Sequence, residues 1–273
     1  MDYEELKQLK LRVKKHRRTI LSMIVPVRAS HIGSSLSIID VIFYLYSKVL
    51  HVNPKNPNLA NRDRFILSKG WGASALYSVL AEKGFFKKSL LKTYLHDGSK
   101  LNGTTTRNGT PGIEATTGSA GHGLPIGVGM ALAGKLQKKS FRVFVVLGDG
   151  ECAEGSVWEA ALQAGQYKLD NLIVIVDYNK LQGFGRVKDI LDFEPFAKKW
   201  EAFKWSVKEI NGHDFNEIAK VFSRLPFEEN KPSVIIANTI KGKGVSIFED
   251  KGEWHYKTPN LEEVAIALRE LSE

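Results

Sequence analysis

Phe141-Arg142-Val143-Phe144-Val145-Val146-Leu147, followed by Gly148-Asp149-Gly150, is the stretch that decides the fold. The run is β-branched and aromatic and does not alternate with polar residues, which is the pattern of a strand buried on both faces of a parallel sheet. It stops at a glycine–acid–glycine turn. Ser156-Val157-Trp158-Glu159-Ala160-Ala161-Leu162-Gln163-Ala164 then reads as a helix, and Asn171-Leu172-Ile173-Val174-Ile175-Val176 as a second buried strand ending at Asp177-Tyr178-Asn179. Strand, turn, helix, strand is a βαβ unit, whose right-handed crossover sets both strand ends on one edge of the sheet. Ligands of open α/β sheets bind at that edge. The expected fold class is therefore α/β, a mostly parallel sheet with helices on both faces.

The two strand ends carry Asp149 and, thirty residues on, Asn179. A carboxylate and a carboxamide suit a hard cation such as Mg²⁺, with Ca²⁺ or Mn²⁺ as substitutes, which completes its shell with phosphate and water. Gly148 and Gly150 allow close backbone approach, and the helix start beyond them offers free N–H groups to an anion. These features describe a metal–diphosphate site. A tight turn followed by a C-capping Asn is the plainer alternative.

The segment from Gly148-Asp149-Gly150 through Asp177-Tyr178-Asn179 resembles the thiamine diphosphate motif, and its surroundings resemble transketolase, specifically the amino-terminal subunit of split transketolases. The resemblance runs from about Leu9 to Asn260 and is sharpest from Gly148 to Arg186. It implies a thiamine diphosphate-binding fold, with Asp149, Asn179 and the main-chain carbonyl of Leu181 holding Mg²⁺. Gly118, Ser119, Ala120, Gly148, Asp149, Gly150, Glu151, Asn179, Leu181, Trp71 and His255 are the implied cofactor-binding residues. Ser30-His31-Ile32-Gly33 and Trp254-His255 resemble family loops whose histidines lie at the reaction centre, which implies that His31 and His255 are catalytic.

Three positions depart from the family pattern. Trp71 stands where transketolases carry a histidine that contacts the diphosphate, and indole offers one N–H and no charge. Thr104 replaces a histidine associated with the hydroxyls of a ketose donor. Ala120, in a Gly-rich loop that lets backbone approach a flat ring, replaces a leucine. His213, in Gly212-His213-Asp214, reads as structural. Lys241 and Lys243 either assist anion binding or are solvated.

The chain has 273 residues, a net charge of +9 and one cysteine, Cys152. The length suffices for a full core. No linker or repeat divides residues 1–273, which are expected to form a single diphosphate- and metal-binding domain. A lone cysteine excludes an internal disulfide framework. No apolar stretch approaches a membrane span, there is no signal-peptide core, and Asp2, Glu4 and Glu5 argue against a transit peptide. The expectation is a cytoplasmic protein with no membrane partner. The basic run Arg12-Val13-Lys14-Lys15-His16-Arg17-Arg18 lacks the aromatic residues and motifs of a nucleic-acid binder. With Leu6, Leu9, Val13, Ile20 and Ile24 near one face, it reads as an amphipathic helix with a solvated basic side.

The family's activating Glu lies on a separate pyrimidine-binding domain, and no second α/β unit carries one here. The resemblance therefore implies one half of a split enzyme, completed by a carboxy-terminal transketolase-like subunit in a heterotetramer. The implied activity is transfer of a two-carbon ketol unit from a ketose donor to an aldose acceptor. Trp71 and Thr104 make a thiamine diphosphate-dependent 2-oxoacid decarboxylase or acyl transferase the alternative. The third reading is a degenerate partner subunit without catalysis of its own.

Overall fold

The computed structural model describes residues 1–272. In chain order the elements are α1 (Tyr3–Ile24), α2 (Ile32–Tyr44), β1 (Arg64–Leu67), α3 (Ala73–Lys83), α4 (Gly123–Leu136), β2 (Val143–Gly148), α5 (Gly155–Gln166) and β3 (Leu172–Tyr178). They continue with α6 (Val187–Ile190), α7 (Phe196–Ala202), β4 (Ser206–Asn211), α8 (Phe215–Phe222), β5 (Ser233–Asn238) and α9 (Leu261–Glu270). The strands form one sheet in the order β1-β2-β3-β5-β4, every pair parallel.

Strand periodicity builds the two halves of the core. Val143, Val145 and Leu147 pack with α4, α5 and α7, while Phe144 and Val146 pack on the other face with α1, α2, α3 and α8. Both faces are covered, so the central strands are apolar throughout. This is the α/β architecture expected from the two apolar runs.

Three local expectations are corrected. Residues 29–37 read as a loop, but α2 starts at Ile32. Its first turns are small because they pack tightly: a Cβ on Gly33 would lie 3.1 Å from Lys241 Cγ and from Trp254. With that start, residues 32–49 form a helical run long and apolar enough to cross a membrane, contrary to the sequence reading. The run is 83% buried inside the protein and serves as its core helix. β4 was not anticipated, because Lys208 and Glu209 interrupt its apolar residues. It is an edge strand, where exposed charge is ordinary and discourages further pairing.

One buried polar cluster ties the helical layer to the loop after β5. Asp40 on α2 accepts from the Arg17 guanidinium of α1 and from His213 Nδ1. His213 Nε2 in turn accepts from the Ile240 N–H at 2.8 Å, and Arg17 Nε donates to the Lys243 carbonyl at 2.8 Å. His213 is structural, as read from the sequence, and it fixes the segment that contains Lys241. Burial alone would raise the Asp40 carboxyl, but Arg17 and His213 hold it below the usual carboxylate range. A carboxyl lowered on folding stabilises the protein above its unfolded pKa and loses that contribution as pH falls. Asp40→Asn is expected to cost about 3 kcal/mol in urea unfolding at neutral pH. The difference from the parent protein should shrink below about pH 4, where the unfolded carboxyl protonates.

Candidate active site

β2 and β3 end side by side because Gly148 pairs with Asp177. Asp149 and Asn179 follow directly at the carboxyl edge of the sheet. The Asp149 carboxylate accepts from the Gly150 N–H at 2.7 Å and from the Lys180 N–H at 2.5 Å. Asn179 accepts from the Leu181 N–H at 3.0 Å and donates to Ser37 Oγ at 3.2 Å. The Leu181 carbonyl accepts from Lys241 Nζ at 3.2 Å. In the ligand-free chain Asp149 is pushed up to about 7, first by burial and next by Asp177. A carboxylate held that high in a buried place gains most from a cation.

Beneath this pair lies an ion pair that sequence reasoning did not single out. Asp177 and Lys69 are both sequestered from solvent, and the Lys69 ammonium pairs with the Asp177 carboxylate. Asp177 also accepts from the Ser37 and Thr239 hydroxyls. The signal was present: a charged residue closing an apolar strand needs a partner, and Lys69 follows another strand end.

His31 is the N-cap of α2 and sits in the left-handed region at φ 69°. Its N–H donates to the His255 carbonyl at 2.8 Å. Backbone held in that region by a non-glycine residue is strained and concentrates at functional sites. The two imidazoles stand edge to face with centroids 4.9 Å apart. Burial, then the Lys241 ammonium, lowers His31 to about 4 and His255 to about 3. Both rings are neutral at physiological pH. Lys241 Nζ lies 3.2 Å from His255 Nδ1. An ammonium can only donate, so His255 carries its proton on Nε2. Lys241, sequestered and lowered to about 8 first by burial and next by Lys69, is the second functional lysine. Lys243, by contrast, pairs with Glu249 at 3.1 Å.

A cavity of about 300 Å³ collects most of the residues expected from the sequence: His31, Trp71, Gly118, Ala120, Gly148, Asp149, Gly150, Glu151, Asn179, Leu181 and His255 line it. Thr104, Lys69 and Gln182 line it too. Ser119 does not; it is exposed on the outer side of its loop. Glu151 differs from expectation in role. Its buried carboxylate accepts from Ser68 Oγ and from the Gly121 and Gly148 N–H groups at 2.9 and 3.1 Å. It therefore staples β1, the start of α4 and the end of β2 together. Trp71 packs against Gly148, where a Cβ would lie 3.4 Å from the indole. Cys152 is buried and burial raises its thiol well above its ordinary value, so it is no nucleophile.

Residues 10–271 match the family model described as transketolase, thiamine diphosphate binding domain. The chain belongs to the transketolase family. It is 44% identical to one chain of the apulose-4-phosphate transketolase of Actinobacillus succinogenes, over all of this chain and 98% of that one. It is 42% identical to 6-deoxy-6-sulfo-D-fructose transketolase subunit SqwG of Clostridium sp. (strain MSTE9), over 93% of each. It superposes on transketolase from Campylobacter jejuni with a TM-score of 0.91 and 31% identity, covering all of this chain but 43% of that one. The protein is thus a transketolase-type, thiamine diphosphate-dependent transferase subunit that corresponds to the amino-terminal part of the longer enzymes.

The residues fit the transketolase cofactor. Among the described residues no three His, Cys, Asp or Glu side chains gather to hold a metal by themselves. The donors here are instead one carboxylate, one carboxamide and one carbonyl, the oxygen set of an ion that shares its shell with phosphate. The carbonyl of Leu181 keeps a lone pair beyond the one facing Lys241. The two buried ammonium groups of Lys69 and Lys241 suit a diphosphate.

In the ligand-free chain, NMR titration should find the His31 and His255 rings neutral from about pH 6 to 8, the window in which a solvated imidazole changes charge. Lys69→Met leaves Asp177 buried without its counter-ion and should cost about 3 kcal/mol in chemical denaturation.

Proposed function

We propose that this chain is the diphosphate-binding subunit of a two-chain transketolase, completed by a carboxy-terminal subunit that carries the pyrimidine-binding domain. Residues 1–273 form one domain in this reading, and two copies of each chain make a heterotetramer in the cytoplasm. The complex transfers a two-carbon ketol unit from a ketose donor to an aldose acceptor. The observation that carries the reading is the meeting of Asp149 and Asn179 with the neutral imidazoles of His31 and His255 in one cavity.

Asp149, Asn179 and the Leu181 carbonyl would hold Mg²⁺ beside the diphosphate. Thiamine diphosphate, when bound, would supply a nucleophilic carbon. His255, its proton kept on Nε2 by Lys241, donates a hydrogen bond to the oxygen that gains charge. His31, also neutral, accepts and returns a hydroxyl proton. Trp71 and Thr104 line the cavity where imidazoles would otherwise stand, which leaves a drier wall. The names of the relatives support a ketose with a terminal anion, phosphate or sulfonate, as donor. They give the 2-oxoacid reading no support.

A partner is supported by the proportions above and by the surface. The outward side of α4 carries Pro125, Gly129 and Leu136, the last 75% exposed, with Ile126 and Met130 half-buried beside them. An apolar outer face on a helix that already covers the sheet is the mark of a protein contact.

The test is reconstitution with the transketolase-like carboxy-terminal chain, comparing xylulose 5-phosphate with pyruvate as donors. Turnover of the ketose by the pair and not by this chain alone is expected; turnover by the single chain, or of pyruvate only, overturns the proposal. Asp149→Ala should weaken uptake of thiamine diphosphate and Mg²⁺ by the pair at least about 100-fold, since even a supporting contact to a metal ligand is worth 10–100-fold.

A further inference from the structure

Gln182 carries a donor that the protein leaves unmatched. Of the buried side-chain polar atoms without a partner among the described residues, Gln182 Nε2 is the one on a residue lining the active-site cavity. Its position is enforced rather than incidental. The Gln182 N–H donates to the Gly185 carbonyl at 2.9 Å, and its own carbonyl accepts from Lys241 Nζ at 3.1 Å. Leu181 and Arg186 bridge the base of the loop, and Arg186 forms a bidentate pair with Asp250, both contacts at 2.7 Å. The side chain lies over the turn after Asp149, which is open only because residue 150 is glycine. A Cβ at Gly150 would sit 2.8 Å from Gln182 Cγ and 3.1 Å from Cδ.

A buried unpaired N–H costs about 1–3 kcal/mol. Nε2 donates to none of its neighbours in the cavity: the Asp149 oxygens accept from backbone N–H groups, Asn179 Oδ1 from Leu181 and the Leu181 carbonyl from Lys241. A ligand at the turn after Asp149, where the diphosphate belongs, supplies the missing acceptor. We infer that the Gln182 carboxamide binds the cofactor, donating from Nε2 to a diphosphate oxygen. The inference deepens the proposed function and rests on it.

The test pairs two measurements: calorimetric titration of the complex with its carboxy-terminal subunit, with Mg²⁺ present, by thiamine diphosphate and by inorganic pyrophosphate, and thermal unfolding of the chain without ligand. Gln182→Met keeps the length and removes the donor. The expected result is a loss of affinity of roughly tenfold for both ligands, with the ligand-free melting temperature unchanged or raised, because an unmatched donor has been removed. Equal affinity of the parent and Gln182→Met overturns the inference alone. So does a loss confined to thiamine diphosphate, or a loss accompanied by a lower ligand-free melting temperature, which marks a purely structural role. Failure of the parent complex to bind either ligand overturns the proposed function, and the inference with it.

Discussion

The pairing of Gly148 with Asp177 across β2 and β3 is the constraint on which the rest depends. It brings the residues after the two strands to the same height at the sheet edge, so that a carboxylate and a carboxamide thirty positions apart become neighbours. A slip of one residue would send Val143, Val145 and Leu147 into the other layer and bury Asp149 in the wrong half of the core. The register is therefore enforced by both hydrophobic layers together. The site is accurate because the core beneath it is.

Asp177 ends β3 as a charge within an apolar layer. Its burial is tolerable because Lys69, Ser37 and Thr239 converge on it from β1, α2 and the end of β5. Four elements are thus locked by one carboxylate just under the site. Asn179, whose amide reaches Ser37, is held by the same group. The polar cluster of Arg17, Asp40 and His213 does the equivalent for the segment of Lys241 from the opposite side. Apart from Lys69, which lines the cavity, both clusters lie outside its wall, and both aim residues that line it.

The fold was legible where burial writes continuous apolar text, as in 141–147 and 171–176, and where glycine and acid interrupt it. It was less legible at α2, where Gly33, Ser34, Ser35 and Ser37 look like a loop because the helix they form must pass close to Lys241 and Trp254. β4 was hidden because an edge strand needs only one covered face. In the site, Asp149 and Asn179 could be read because chemistry restricts their type, whereas His31 and His255 came from the resemblance of their loops. Lys69 could not be read and Lys241 only as an alternative beside Lys243, since a lysine in a basic chain is usually solvated, and only the folded chain shows an ammonium without water. Gly118 and Ala120 line the cavity, while Ser119 between them is exposed.

The electrostatics of the cavity explain why the same chain can hold its imidazoles uncharged and still receive an anion. Lys69 and Lys241 place two ammonium groups near His31 and His255, and with burial they suppress protonation of both rings. The carboxylates Asp149 and Asp177 offset those ammonium groups only in part, since Asp149 itself rises toward neutrality. A cation would restore the Asp149 charge, and a diphosphate would then meet the cation and the two lysines. Each component is poorly placed alone: the carboxylate is too buried, the lysine too desolvated, the carboxamide of Gln182 without an acceptor. Their costs share one remedy, and a site whose separate strains are all relieved by one metal–anion pair discriminates strongly in its favour.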